Sequence, residues 1–398
     1  MKNNKLSWIA VCFATCMGAG VLFLPNEIGK SGIYAFIISL PIAFFINYFG
    51  QKYIGKLVVE NSRDKECSYS DVIEKQFGKI GGKILVVAFL LVMLGIISMY
   101  VTGFKNDLFA FSKSENIGIF TSKDSLYFIL IITIFFSLII VFKQFLLYVV
   151  MRIKSIFIMA ALLIFSLCLI PYWNFSEFSQ FPSVANLIMG VLLILPIVIM
   201  AINYFAIISE MVFTYKKEGK SQEVMMKDCR DTLFFSQLLI VVFIGFFVVS
   251  STLALTPAEM DVARLQSQTA LSVLDIPGLS ILAKWLGLLI LPASFLGAFV
   301  GLSEPLKNML TTKRSKNNTR VKIVIAVLSI CFVFIVLLFN LNILEVVGIF
   351  ITPIIAILTY VLPVILMKKS KIHMSKGAYV ILILGVLLLV SYFIGSTL

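Results

Sequence analysis

Long apolar stretches with few or no charged side chains, each close to the length needed to cross a bilayer, recur along the whole chain and set the terms on which it can fold. A helix rises about 1.5 Å per residue, so roughly 20 apolar residues cover about 30 Å of hydrocarbon. Eleven stretches meet that demand: Leu6 to Leu24, Gly32 to Phe49, Ile84 to Phe104, Leu126 to Phe142, Leu146 to Ile170, Val184 to Ser209, Phe234 to Leu255, Leu279 to Leu302, Ile323 to Asn340, Ile343 to Met367 and Gly377 to Ile394. An all-helical polytopic membrane protein is expected, as a single domain, because no loop is long enough for a separate soluble unit. Composition agrees: 60% of the 398 residues are hydrophobic and 13% charged, outside the range of soluble domains.

The net charge of +13 would suit nucleic acid only if it formed a basic face on a soluble fold. Here it has another origin. With the N-terminus on the cytoplasmic side, only Lys30, Lys105, Lys113, Lys123, Arg264 and Lys284 of the 33 Lys and Arg lie away from the cytoplasmic loops, the asymmetry that fixes orientation during insertion. A cytoplasmic (inner) membrane protein with its C-terminus on the outer side is expected, with the lipid bilayer as its surroundings and no nucleic-acid partner. Lys2 and Lys5 precede a run that continues without a cleavage site, so it reads as the first span and not as a signal peptide. The scattered cysteines imply neither a disulfide framework nor a metal site.

Two spans carry helix breakers. The first contains Gly18, Gly20 and Pro25; the sixth contains Pro196 and places Asn203-Tyr204 in an apolar run. Glycine costs about 1 kcal/mol in a helix interior, and unwound backbone at membrane depth is tolerable only beside protein or a water-filled cavity. Close helix packing accounts for the glycines equally well. Breaks in both the first and sixth spans, however, are what two inverted five-helix repeats produce, here 6–170 and 184–367 with 377–394 as an extra helix. Broken ends offer amides to a carboxylate and carbonyls to an ammonium or cation. An amino acid zwitterion needs both.

The residues at these breaks resemble a known family. Gly18-Ala19-Gly20-Val21-Leu22-Phe23-Leu24-Pro25 is similar to the first-helix motif of the hydroxy and aromatic amino acid permeases, especially their bacterial serine/threonine branch within the amino acid/polyamine/organocation superfamily. Leu195 to Met200 with Asn203 and Ile207-Ile208-Ser209 resembles the family's sixth helix, and Leu253 to Glu259 its outer loop. Ser294-Phe295-Leu296-Gly297 and Pro353-Ile354-Ile355-Ala356 match the eighth and tenth helices. The resemblance implies a broken-helix (LeuT-like) transporter and uptake of a small neutral amino acid, serine or threonine, driven by H⁺ or Na⁺, with no other cofactor. Departures fall at the breaks. Where the family reads Ser-Phe-Asn-His-Ser-Pro, this chain has Ala201, Ile202, Asn203, Tyr204, Phe205 and Ala206, a more apolar surface. The family's lysine and histidine flanking Ser-Phe-Leu-Gly are Ala293 and Ala298, and its tenth-helix acid aligns with Gly348, one turn from Glu345.

The candidate substrate site therefore comprises Thr15, Cys16, Gly18, Ala19, Gly20, Ile202, Asn203, Tyr204 and Phe205. Asn203 is too polar to face lipid without partners, although a bond to a neighbouring helix would also satisfy it. Tyr204 suits a pocket wall or a packed core equally, and the Thr15 and Ser294 hydroxyls can turn back onto helix backbone. The candidate coupling-ion site comprises Ala14, Met17 and Ser294, with Glu345 as an intramembrane acid or a wet helix end. His373 falls in a Lys-rich loop. An enzyme is not expected, because the spans hold no paired carboxylates or metal ligands; a channel or a non-transporting sensor of the same fold, or a permease for aromatic or other hydrophobic amino acids, remains open.

Overall fold

A computed structural model describes residues 4–62, 67–116, 122–142, 157–175, 181–310, 319–339, 351–374 and 376–396. Every regular element among them is helical: α1 Asn4–Cys16, α2 Ala19–Ser31, α3 Ile33–Asn61, α4 Tyr69–Ser114, α5 Leu126–Val141, α6 Phe157–Tyr172, α7 Val184–Ala201, α8 Ile208–Lys217, α9 Gln222–Ala254, α10 Pro257–Leu265, α11 Ala270–Val273, α12 Ser280–Leu310, α13 Thr319–Phe339, α14 Thr352–Lys369 and α15 Lys376–Ser396. Seven helical stretches among the described residues are long and apolar enough to cross a membrane, and the bent pair α1 and α2 forms an eighth. Three shorter apolar helices, α5, α6 and α15, occupy the fourth, fifth and eleventh expected spans. Positions 146–156 and 343–350, in the fifth and tenth expected spans, lie outside the described residues. The chain is a multi-pass membrane protein.

Polar side chains start the helices where the apolar runs begin. Ser125, Ser183 and Ser221 accept from the third backbone N–H beyond them, and Ser68 with Asp71 and Thr256 with Glu259 form reciprocal capping boxes, which satisfy donors that a helix start leaves open. α4 bends at Gly78, whose φ of 73° lies in the left-handed region that only glycine visits cheaply. Beyond the bend, 35 residues from Ile80 to Ser114 run as one arm. That arm is about 50 Å long, so its last turns project beyond about 30 Å of hydrocarbon.

The helices pack as two sets. α1, α2, α3, α7 and α9 lie against one another, while α4, α5, α12 and α13 form a second set, with α14 and α15 against α3 and α7. At one end, charges tie the first set together: Lys5 Nζ sits 2.7 Å from Asp228 Oδ1, and Lys220 Nζ 2.9 Å from Asp228 Oδ2 and 2.8 Å from Glu218 Oε2. Burial alone would lower the Lys220 pKa, but its bonds to Glu218 and Asp228 outweigh that and hold it above the ordinary lysine value. Lys216 Nζ donates to the Ser62 carbonyl beside this cluster. At the other end, α10 and α11 cover the helix tips.

Candidate functional site

The first span is broken where the glycines fall. α1 stops at Cys16, α2 starts at Ala19, and the two are bent by 52°. Gly18 between them is extended, with φ −157° and ψ −160°. A helix start leaves its first N–H groups without intrahelical acceptors, and a helix end does the same for carbonyls. The break thus presents amides from the start of α2 and carbonyls from the end of α1 at one place. The positive end of the α2 dipole points there too. Glycine is required by contact more than by backbone angle. A Cβ built on Gly18 would come within 2.5 Å of Tyr100 Oη on α4, and one built on Gly20 within 3.3 Å of Ala201 Cα.

The second break therefore lies against the first. α7 ends at Ala201, residues Ile202 to Tyr204 leave the helix, and a short 3₁₀ turn at Phe205–Ile207 leads into α8. Neighbouring amides take some of the carbonyls that α7 leaves open. Asn47 Nδ2 on α3 donates to Ile199 O at 3.1 Å, and Gln237 Nε2 on α9 approaches Ile202 O at 3.5 Å. Asn203 caps the following turn, its Oδ1 accepting from Phe205 N at 3.0 Å. Its Nδ2 donates to Thr359 Oγ1 and Tyr360 Oη, both at 3.3 Å, and Tyr360 Oη donates onward to Asn47 Oδ1 at 2.7 Å. Thr359 and Tyr360 stand in a π turn, Ile357–Val361, within α14. Such wide turns displace side chains from regular register and recur at functional sites.

The sequence-predicted residues divide by what they touch. Gly18, Gly20, Ile202, Asn203, Tyr204 and Phe205 all belong to the two abutting breaks, as does the backbone of Ala19. Cys16 is a buried free thiol at the end of α1. Thr15 Oγ1 bonds to Val11 O in its own helix at 2.8 Å. Tyr204 Oη donates to Leu233 O on α9 at 3.0 Å, and Phe205 meets the edge of Phe89 with ring centroids 5.6 Å apart. Of the proposed ion ligands, Ser294 Oγ on α12 donates to Met17 O at 2.8 Å, joining the second helix set to the first break. Ala14 is buried on α1 one turn from Met17, and Glu345 lies outside the described residues. His373 offers its carbonyl, not its ring, to Lys56 Nζ at 2.8 Å.

Several site residues escaped the sequence reading. Asn47 and Gln237 are polar side chains inside expected spans, and the cost of leaving an amide in hydrocarbon would have flagged both. Tyr100 carries no such signal, since a tyrosine in an apolar run is usually core or interface. The loop cover was likewise invisible. Asn26 Nδ2 donates to Gln268 O at 2.8 Å, Asn106 Nδ2 to Gln266 O at 2.9 Å and Ser267 O at 3.1 Å. Asp107 accepts from Thr269 N at 2.9 Å and from Thr269 Oγ1 at 2.6 Å. Residues 266–269 are thereby fastened to α2 and to α4 at once, over the tips of both helix sets.

No group of three or more His, Cys, Asp or Glu suited to a metal ion occurs among the described residues. Comparison with known proteins gives the helices and breaks their context. The serine transporter SdaC of Escherichia coli (strain K12) is 25% identical over 383 residues, covering 92% of this chain and 88% of that protein. The threonine/serine transporter TdcC of Yersinia enterocolitica serotype O:8 is 25% identical over 406 residues, covering 92% and 89%. The family described as transmembrane amino acid transporter protein matches residues 1–248, both breaks included. On that match the chain is a transporter rather than an enzyme, and it belongs to the transmembrane amino acid transporter family.

Proposed function

We propose that this protein imports a small neutral amino acid, serine or threonine, by symport with H⁺ or Na⁺ across the cytoplasmic membrane, through alternating access. The reading takes the eleven apolar stretches as spans of a broken-helix fold with two inverted five-helix repeats, its N-terminus cytoplasmic and the α10–α11 face outward. The observation that carries it is the contact between Gly20 and Ala201. Two interrupted helices meeting at their breaks gather amides and carbonyls at one point, the complement of a zwitterion. Tyr100 Oη, which lies against Gly18, would donate to the carboxylate. The two helix sets supply the bodies that rock against each other, and Ser294 with the Met17 carbonyl marks where a coupling cation joins them. The names of the two relatives support serine or threonine as cargo.

Proteoliposomes with a proton or a sodium gradient imposed alone, supplied with labelled L-serine, test the proposal. Saturable accumulation driven by one gradient is expected; no stimulation by either removes symport, and no accumulation at all leaves a channel or sensor. Ile202, Phe205 and Phe89 give the second break an apolar lining, which favours a hydrophobic amino acid as the alternative cargo. Competition by a panel of unlabelled amino acids decides between them.

A further inference from the structure

The π turn of α14 leaves one carbonyl without a donor from its own helix. Leu362 N–H bonds to Ile357 O, and the residue after it is Pro363, which has no N–H to give. Leu358 O therefore lacks the N–H groups of both the fourth and the fifth residue onward, the donors that an α turn or a π turn would bring to it. Leu358 is 2% exposed, and a buried carbonyl needs a partner from elsewhere. Tyr69, the first residue of α4, supplies one: its Oη donates to Leu358 O at 2.8 Å.

The same residue reaches the other limb of the second break. Tyr69 N donates to Ser209 Oγ on α8 at 3.0 Å, a bond open to it because the first N–H groups of a helix have no intrahelical acceptor. Ser209 follows Asn203 by six residues, and Leu358 precedes Thr359 and Tyr360, the partners of the Asn203 amide. Further along, residues 69–77 are fastened to the end of α14. Gln76 Nε2 donates to Ser370 Oγ at 2.9 Å, while Lys369 Nζ donates to Gln76 O at 3.3 Å and stands 4.0 Å from the centre of the Phe77 ring. At Gly78, where an added Cβ would meet nothing within 4 Å, the left-handed backbone sets this segment off from the long arm of α4. Residues 69–77 are thus tied to α14 at both ends, and the bond from Tyr69 N to Ser209 crosses from that unit to α8.

We propose that Tyr69 is a positioning residue for the second break and that residues 69–77 form an inner strap beneath it. The Tyr69 hydroxyl sets the π turn where Thr359 and Tyr360 meet Asn203, and the Tyr69 N–H holds α8 against that turn. The direction of the strap rests on the transport reading and its cytoplasmic N-terminus. Cys67 N, just before the strap, donates to Ser62 Oγ at 3.2 Å, and the Ser62 carbonyl takes Lys216, beside the cluster that holds Lys5. Solute leaves inward only after α8 parts from the strap at Ser209. What breaks there is one bond between neutral groups, whose net worth is small enough to be lost and remade in each cycle.

Hydrogen exchange of the purified full-length protein, followed through 204–209 and 256–273, tests this without any transport step. Tyr69→Phe removes the donor to Leu358 O, and Ser209→Ala removes the acceptor of the Tyr69 N–H. Each should speed exchange in 204–209 by about 5- to 10-fold, the shift in a local opening equilibrium that the loss of one hydrogen bond produces. Residues 256–273, at the opposite end, should exchange no faster than in wild type. Ser209→Thr keeps the acceptor and should exchange as wild type does. Wild-type rates at 204–209 in both Tyr69→Phe and Ser209→Ala would overturn the strap, as would faster exchange in all helices alike, or Ser209→Thr exchanging as fast as Ser209→Ala. Wild-type proteoliposomes that fail to accumulate L-serine while the expected exchange pattern holds would remove the transport reading and leave the positioning role of Tyr69 standing.

Discussion

Asn203 Nδ2 and Tyr360 Oη, 3.3 Å apart, join an interrupted helix to the π turn of α14 across 157 positions of sequence. Asn203 thus has partners on both sides: its oxygen holds the turn that follows it, and its nitrogen reaches the helix behind. Replacing it with alanine should abolish saturable serine uptake and lower stability by about 1 to 3 kcal/mol, the cost of stranding the Phe205 N–H. Uptake kinetics with a thermal melt of the detergent-solubilised variant check both parts. Unchanged kinetics would clear Asn203 of a part in the site.

At Gly20 the first break has room for little beyond a hydrogen. The Cβ of Gly20→Ala would lie 3.3 Å from Ala201 Cα, so that variant should keep partial uptake. Gly20→Leu cannot be accommodated without separating α2 from α7, and should show less than about one hundredth of the wild-type rate while still inserting; overpacking of this kind typically costs about 1 to 3 kcal/mol. Initial rates normalised to membrane-inserted protein test the order.

Thr269→Val removes one donor from Asp107 with little change in volume. The loss of a bond to a buried charge should loosen the cover by about 1 to 3 kcal/mol, seen as faster hydrogen exchange in 257–273 than in the helices beneath. Exchange that rises equally throughout would mean a general loss of stability and not release of this loop.

The charge cluster at the opposite end predicts a pH response. Lys220 has a folded-state pKa above the ordinary 10.5, so its stabilising effect is fully present below that value and is lost as pH rises through the folded-state value. Wild type should therefore lose its melting-temperature advantage over Lys220→Met as the pH is raised from 9 to well above 10.5. A gap that stays constant over that range would show that Lys220 acts through the packing of its apolar stem, and neither through its ion pairs nor through the charge held 4.3 Å from the Tyr215 ring.

Much of the architecture could be read from apolar length alone, because a backbone in lipid has few alternatives to a helix. Gly18, Gly20 and Asn203 marked the breaks because each costs free energy in a continuous apolar helix. What these residues meet was not legible from their local pattern. Tyr100 at Gly18, Tyr360 at Asn203 and Thr269 at Asp107 are contacts between positions 82, 157 and 162 apart, and no local periodicity encodes such pairings. Asn203 illustrates the limit: its polarity required partners, but only the π turn of α14 determines that two of them are Thr359 and Tyr360. The long arm of α4 extends past its expected end at Phe104 for a related reason. Lys105, Asn106 and Asp107 ended the apolar run, yet all continue the helix, with carbonyls of residues 266–267 taking the Asn106 amide and Thr269 giving two donors to Asp107.

Residues 266–269 are moored to α2 by one amide and to α4 by another amide and a carboxylate, so neither helix tip is uncovered while the other stays shut. On the proposed alternating-access route, entry from that face would be a single event whose frequency belongs to the loop and not to the solute waiting outside. Every cargo admitted by this route would share one upper limit on turnover, however tightly it is held below.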